Sequence, residues 1–340
     1  MIERLSAPPP IVALAMGAHF VEDMFGPEQW HRLEGLAKLP SRRPLQDFRG
    51  AGDALADVEI LVTGWGCPQL DGEALINLPR LGLVVHTGSS VKPIVSEALW
   101  AAGVQVSSAA SANAIPVAEY ALAAILFANK GVFRAREETR ERRRFEPHPW
   151  TARGAHGNLR ATVGILGFSR TGRRLVELLQ PFDLDILVHD PVASPSEITA
   201  SGANPVSLEA LFERADTVSI HAPSLPETRG MVSSPLLARL RDGATMINTA
   251  RGAIVDEMSL LAELRSGRLN AVLDVTDPEP PAEDSPLYEL PNVFLTPHMA
   301  GAAGHETRRL ADHAIGEIQR FLAGEPLAHP VTPEMLKTIG

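Results

Sequence analysis

The sequence predicts an α/β protein built on doubly wound parallel sheets, and three observations predict it. Short apolar runs alternate with helix-spaced segments along most of the chain, at the interval expected when each strand crosses through a helix to a parallel neighbour. Residues 162–190 read as a complete strand–helix–strand unit with a glycine-containing turn. The 340 residues, 45% of them hydrophobic, suffice for two domains with separate cores.

Taken in order, apolar runs at Ile11–Ala15, Ile60–Thr63, Leu83–His86 and Val104–Ser107 predict strands, and Pro27–Leu36, Gly72–Leu78 and Ser96–Ala102 predict helices between them. Two loops, Thr63-Gly64-Trp65-Gly66 and His86-Thr87-Gly88-Ser89-Ser90, follow strand ends, where open sheets bind ligands. The second offers successive backbone N–H groups to a carboxylate. Ser111 or Asn113 is a candidate cap for a long helix with Pro116 in its first turn and the periodic run Val117–Phe127 behind it; this helix is the expected hinge into a second domain. Residues Arg134–Arg144 read as a solvated helix face with pairs such as Glu138/Arg142, and Pro147–Gly157 as a loop.

The strand–helix–strand unit then begins. Val163–Leu166 is apolar, the turn Gly167-Phe168-Ser169-Arg170-Thr171-Gly172 follows, Leu175, Leu178 and Leu179 have helical spacing, and Ile186–Val188 forms the second strand. Gly167 permits a tight turn, Gly172 lets helix and strand pack closely, and the free N–H groups at the helix start suit a pyrophosphate. Asp190 stands where a carboxylate would bond ribose hydroxyls, favouring NAD over NADP, although Arg173 and Arg174 on the helix leave some NADP use open. Ser169 replaces the middle glycine of G-x-G-x-x-G; its Cβ should push a pyrophosphate outward, while its hydroxyl offers a compensating bond.

Further on, helices are expected at Leu208–Arg214, Pro235–Leu240 and Glu257–Ser266, and strands at Thr217–His221, Thr245–Thr249, Ala271–Val275 and Val293–Leu295. Asp256 is a candidate N-cap and Gly267 a candidate stop. The last helix, Glu306–Ala323, is expected to return to the first domain. The expected domains are therefore a discontinuous one over 1–110 and 301–340, and a Rossmann-type one over 111–300. Three polar groups lie beyond predicted strand ends in the latter: Arg251, Glu279 and His298. A guanidinium holds a carboxylate bidentately, a histidine passes protons near neutral pH, and a neighbouring carboxylate favours the charged imidazole and orients it.

These segments, VGILGFSRTGR, HAPSLPETRGMV, INTARGAIVDE, LDVTDPEP and LTPH, in this order, resemble the D-isomer-specific 2-hydroxyacid dehydrogenases from about Ala54 to about Phe321. The resemblance implies a Rossmann NAD domain beside a flavodoxin-like substrate domain, closing on a cleft, and homodimers through the domain that holds the Val117 helix. It implies Arg251 on the substrate carboxylate and carbonyl, His298 as acid/base and Glu279 as its partner. Gly88, Ser89 and Ser90 would meet the substrate carboxylate, with Trp65 nearby. Gly167, Ser169, Arg170, Thr171 and Gly172 would meet the pyrophosphate and Asp190 the ribose. Ala222, Pro223, Thr228, Thr249 and Ala250 would line the cofactor beside Arg251 and His298, with Asp274 near the nicotinamide amide. Lys92 stands where the family commonly carries an acid.

The implied activity is reduction of a small 2-keto acid by NADH, falling as pH rises through the titration of His298, with alcohol oxidation showing the opposite trend. Formate dehydrogenases of this scaffold carry glutamine at Glu279 and phosphite dehydrogenases lysine at Ser89, which argues against both; an NAD-binding sensor without turnover is the rival of another class. The chain's end at Gly340 argues for a poor match to the larger, regulated phosphoglycerate dehydrogenases. A formal net charge of −10 argues against nucleic-acid or anionic-membrane partners. Cys67, the only cysteine, excludes internal disulfides and argues against a cysteine-based zinc site, and no metal is expected. The N-terminus shows no secretory signal, the apolar run Tyr120–Ala128 is short for a membrane span, and a cytoplasmic location is expected.

Overall fold

The computed structural model describes residues 8–49, 55–144 and 157–338. The extreme N-terminus and the loop expected over 147–157, except Gly157, lie outside them. The chain divides into two units: the described residues up to Asn113 together with those from Ala302 on, and Ala114–Gly301.

The first unit runs β1 (Ile11–Ala15), α1 (Ala18–Met24), α2 (Pro27–Leu36), β2 (Val58–Thr63), α3 (Gly72–Ile76), β3 (Leu83–His86), α4 (Glu97–Ala101) and β4 (Gln105–Ser108). The strands are parallel in the order β1-β2-β3-β4. Among the described residues, the sheet continues beyond β1 only as isolated parallel bridges, Ile11 to Lys38 and Ala15 to Leu45. Pro40 and Pro44 have no N–H to give a ladder, so this segment does not become a strand. With the bridged segment outside β1, the order is that of flavodoxin-like sheets. Both faces are covered: Ile60 and Val62 face one core and Leu61 the other, the alternation that a strand requires.

The second unit contains most of α5 (Ala110–Asn129), then α6 (Val132–Arg142), β5 (Thr162–Leu166), α7 (Arg170–Leu179), β6 (Asp185–His189), α8 (Pro195–Ala200), β7 (Asn204–Pro205) and α9 (Leu208–Arg214). It ends with β8 (Thr217–Ile220), α10 (Ser234–Leu237), β9 (Thr245–Asn248), α11 (Glu257–Arg265), β10 (Asn270–Leu273) and β11 (Val293–Leu295). All seven strands are parallel in the order β11-β10-β9-β8-β5-β6-β7. The chain enters at the centre, winds out one way through β7, and returns to build the other half, the doubly wound pattern. A last helix, α12 (Arg308–Ala323), packs Leu310, Ala314, Ile315 and Ile318 on Leu14, Val62 and Val85 of the first unit.

Several expectations need correction. The long helix begins at Ala110, so Pro116 lies inside it rather than in its first turn. Ser111 and Asn113 do not cap it: the Ser111 hydroxyl lies 3.3 Å from His329 Nδ1, and Asn113 donates to Ser89 Oγ at 2.9 Å and accepts from the Ala302 N–H at 2.9 Å. Tertiary contacts thus draw in the two residues whose chemistry suggested a cap. Among the described residues, this 20-residue helix is the one long and apolar enough to cross a membrane by length and composition, longer than the short run read in the sequence. Its Ala118, Ala121 and Ile125 pack against Ile165 and Val188 in the second unit's core. On α6, Glu138 pairs with Arg134 at 2.9 Å, one turn before it. Asp256 does cap α11, accepting the Ser259 N–H at 2.8 Å. Helices α1 and α8 were not foreseen; Ser194, which accepts the Glu197 N–H, and Pro195 at the first position of α8 were the readable signal for the latter.

Candidate active site

One row of strand residues crosses the second sheet in register: His189, Leu166, Ile220, Asn248, Leu273 and Leu295. Parallel strands all leave such a row from the same edge. Gly167, Asp190, Ala222, Arg251, Asp274, Glu279 and His298 all follow it by one to six positions, and hence the sheet gathers at one edge residues far apart in sequence. Strands β9 and β11 flank β10, so their ends lie about 10 Å apart.

The glycine turn at this edge is tightly determined. Gly167 has φ +99°, and an added Cβ would lie 2.6 Å from the Ala222 nitrogen; a Cβ on Gly172 would lie 2.1 Å from the Gly167 oxygen. Only glycine meets both demands. Ser169 caps α7, its hydroxyl accepting the Gly172 N–H at 3.4 Å. Among the described residues no acceptor meets the backbone N–H groups of Ser169, Arg170 or Thr171. Asp190 accepts the Phe168 N–H at 2.6 Å on one oxygen and those of Val192 and Ala193 at 2.8 Å on the other, so it braces the turn.

Along the edge, Thr228 donates to the Pro223 carbonyl at 2.6 Å and accepts from the Leu225 N–H, which shapes the 223–228 loop. His221, buried just before Ala222, has its pKa pushed down to about 3 by that burial and shares a hydrogen bond with Ser219 at 2.8 Å. After β9, Asn248 accepts from the Ala250 N–H at 3.0 Å and donates to the Arg251 carbonyl at 2.9 Å, fixing the loop that carries Arg251. The Arg251 guanidinium donates to the Ala250 carbonyl at 2.6 Å, and among the described residues no carboxylate pairs with it. Among the described residues the buried Thr249 hydroxyl has no hydrogen-bond partner. Unpaired N–H groups at a helix start, a glycine turn and an orphaned hydroxyl along one sheet edge are features that a bound dinucleotide fits.

The acid/base pair lies at the ends of β10 and β11. His298 Nδ1 is 2.5 Å from Glu279 Oε1, so Nδ1–H donates to the carboxylate and Nε2 is left free. His298 holds φ +53°, a left-handed conformation costing a non-glycine residue roughly 1–2 kcal/mol. Asp274, only 2% exposed, over-determines it. Its backbone carbonyl accepts the His298 N–H at 2.9 Å, and its carboxylate accepts the Met299 and Ala300 N–H groups and the Thr296 hydroxyl at 2.7–2.9 Å. Because a carboxylate only accepts, Thr296 donates to it and accepts in turn from Tyr120 at 2.7 Å. Burial, seconded by the charge of Asp274 and opposed by the bond to Thr296, raises the Tyr120 pKa and keeps that donor protonated. The Asp274 carboxylate therefore supports the loop that carries His298. Glu279 and His298 border a cavity of about 930 Å3 that reaches Arg136 and Arg140 of α6.

Two positions escaped the sequence reading. Tyr120 sits far from the site in sequence and carries no local signal. Gly252 was detectable as a glycine beside Arg251: its Cβ would fall 2.0 Å from the Thr276 carbonyl carbon, so it lets the Arg251 loop lie against the chain leading to Glu279.

In the first unit, Trp65 follows β2, 37% exposed and 5.1 Å from the Phe20 ring. The loop after β3 rests on His86, buried and bonded to the Thr63 hydroxyl at 3.0 Å, its pKa pushed down to about 4 by burial. A Cβ on Gly88 would meet His86 Nε2 at 2.5 Å. Ser89 accepts from Asn113, and among the described residues no acceptor meets the backbone N–H groups of Gly88, Ser89 or Ser90.

Residues 122–300 match the family model for the NAD-binding domain of D-isomer-specific 2-hydroxyacid dehydrogenases. D-3-Phosphoglycerate dehydrogenase of Mycobacterium tuberculosis is 33% identical over 259 residues, which cover 75% of this chain and 48% of that protein. The chain thus spans about half the length of the phosphoglycerate dehydrogenases it matches, and over that shared part the match expected to be poor is substantial. (S)-Sulfolactate dehydrogenase of Chromohalobacter salexigens is 31% identical over 256 residues, covering 75% of this chain and 82% of the relative. The crystal structure of apo D-mandelate dehydrogenase from Rhodotorula graminis shares the fold, with TM-score 0.79, 24% identity and coverage of 96% of this chain and 98% of that one. On the family match and these identities, the chain belongs to the D-isomer-specific 2-hydroxyacid dehydrogenase family.

Proposed function

We propose that this protein is an NAD-dependent oxidoreductase that interconverts a small 2-keto acid and its D-2-hydroxy acid, with His298 as the acid/base. The observation that carries the reading is the Glu279–His298 pair, held in a strained backbone with Nε2 free. Bound NADH would supply the hydride. Protonated His298 gives its Nε2 proton to the oxygen that develops negative charge, while Glu279 accepts from Nδ1–H and stabilises the imidazolium. Arg251, unpaired with any described carboxylate, anchors the substrate carboxylate and stabilises the same oxygen. The N–H groups of Gly88, Ser89 and Ser90 offer a further carboxylate contact. Asp190 favours NADH by repelling a 2′-phosphate.

NADH oxidation measured against keto acids from glyoxylate to phenylpyruvate, with NADPH in parallel, tests this. We expect turnover with at least one, NADH preferred, and a loss of about 10²–10⁴-fold in His298→Ala with NADH binding retained. Equal turnover in His298→Ala would refute the assignment, and NADH binding without any turnover would turn the reading to a binding protein. A homodimer is part of the same proposal, formed through the exposed side of α5, where Phe127 is 53% exposed. Sedimentation velocity should show twice the chain mass for the wild type and a shift toward the monomer in Phe127→Glu.

A further inference from the structure

The C-terminal helix carries a second cluster of chemistry-bearing side chains. His313 and Glu317 lie one turn apart on α12, and the chain after the helix brings back His329, so that one ligand atom of each lies within 4.8 Å of the others. They border a cavity of about 560 Å3. All three belong to the first unit, whereas Glu279 and His298 belong to the second.

Glu317 is only 2% exposed. Its two oxygens accept the Ala328 and His329 N–H groups at 3.2 Å each, and among the described residues no cationic side chain lies within ion-pair distance of it. Arg320, nearby on the helix, is taken up by Glu325 at 3.2 Å and by the Pro326 carbonyl at 2.7 Å. A buried carboxylate needs a countercharge, and two imidazoles beside it are ligands for one. The rings are 4.9 Å apart. His329 Nδ1 faces Ser111 Oγ at 3.3 Å, leaving Nε2 to coordinate, the arrangement in which a second contact orients a metal-bound imidazole.

We infer that His313, Glu317 and His329 form a site for one divalent transition-metal ion of the zinc class. Two imidazoles and a carboxylate suit zinc and disfavour magnesium or calcium, which take oxygen ligands. Tetrahedral zinc sets ligand atoms about 3.3 Å apart, within reach of side-chain rotation into the cavity. The ion would tie the segment after α12 to the helix. That segment already bridges β4 through Ser107 and Pro330, and the Val331 N–H donates to the Val106 carbonyl at 2.8 Å. Its role is therefore structural. The sequence carries no cysteine-based signal for such a site, and its third ligand lies twelve residues beyond the His/Glu pair.

The test is titration of chelator-stripped, full-length protein with zinc against a competing chromogenic chelator, together with thermal melting. One equivalent per chain should bind and raise the melting temperature. His329→Ala and the milder His329→Gln should each weaken binding at least about tenfold and abolish the thermal shift, whereas His298→Ala should leave the stoichiometry at one. Failure of the wild type to compete with the chelator, or wild-type affinity in either His329 variant, would overturn the proposal.

Discussion

Asp274 shows how one side chain sets the geometry of the loop that carries His298. Four hydrogen bonds converge on its backbone and carboxylate from residues 296–300, and together they hold His298 in a backbone conformation that it would otherwise leave. Asp274→Asn keeps the shape but points an amide N–H at a donor it must instead accept. We expect kcat for keto-acid reduction to fall at least about tenfold, NADH affinity to change little, and stability to fall by about 1–3 kcal/mol. Steady-state kinetics with urea unfolding checks this, and an unchanged kcat would remove Asp274 from the positioning of His298.

Between elements, the site depends on how closely two loops approach. Gly252 starts a helical turn after Arg251 and lies against the Thr276 backbone, where a methyl group would overlap main-chain atoms with no flexible side chain to move aside. Gly252→Ala must therefore displace either the loop of Arg251 or that of Glu279. The expected cost is about 1–3 kcal/mol in stability, with a drop in kcat/KM that exceeds what the stability loss alone explains. Urea denaturation beside kcat/KM on the soluble variant measures both. Wild-type values would mean that the two loops are not held in this contact.

Across the whole molecule, buried histidines couple stability to pH. His86 in the first unit and His221 in the second have folded pKa values lowered by burial to about 4 and about 3, from an ordinary 6.5. The unfolded chain thus binds protons below about pH 6.5 that the folded chain refuses until well below pH 5. Stability from these groups is present above that range and is lost as pH falls. Between pH 7 and 5 each contributes a loss of about 2 kcal/mol. Urea midpoints at the two pH values should show the drop, and His221→Gln, which retains a hydrogen-bonding side chain toward Ser219, should lessen it. An equal pH dependence in that variant would show that other groups control the acid response.

By itself the sequence determined the strands other than β7, most crossover helices, the glycine turn and the identity of Arg251, Glu279 and His298 as chemically complementary groups, because each is announced by local periodicity or by residue type at a strand end. It could not determine that Ser111 and Asn113 would be drawn into side-chain contacts, because those depend on partners far along the chain. Only the tertiary structure decided that the Asp274 carboxylate accepts from Thr296, Met299 and Ala300, that Tyr120 reaches the His298 loop through Thr296, and that His329 returns to His313 and Glu317. In each case burial makes a polar group seek a partner, and the fold determines which group is near enough to be that partner.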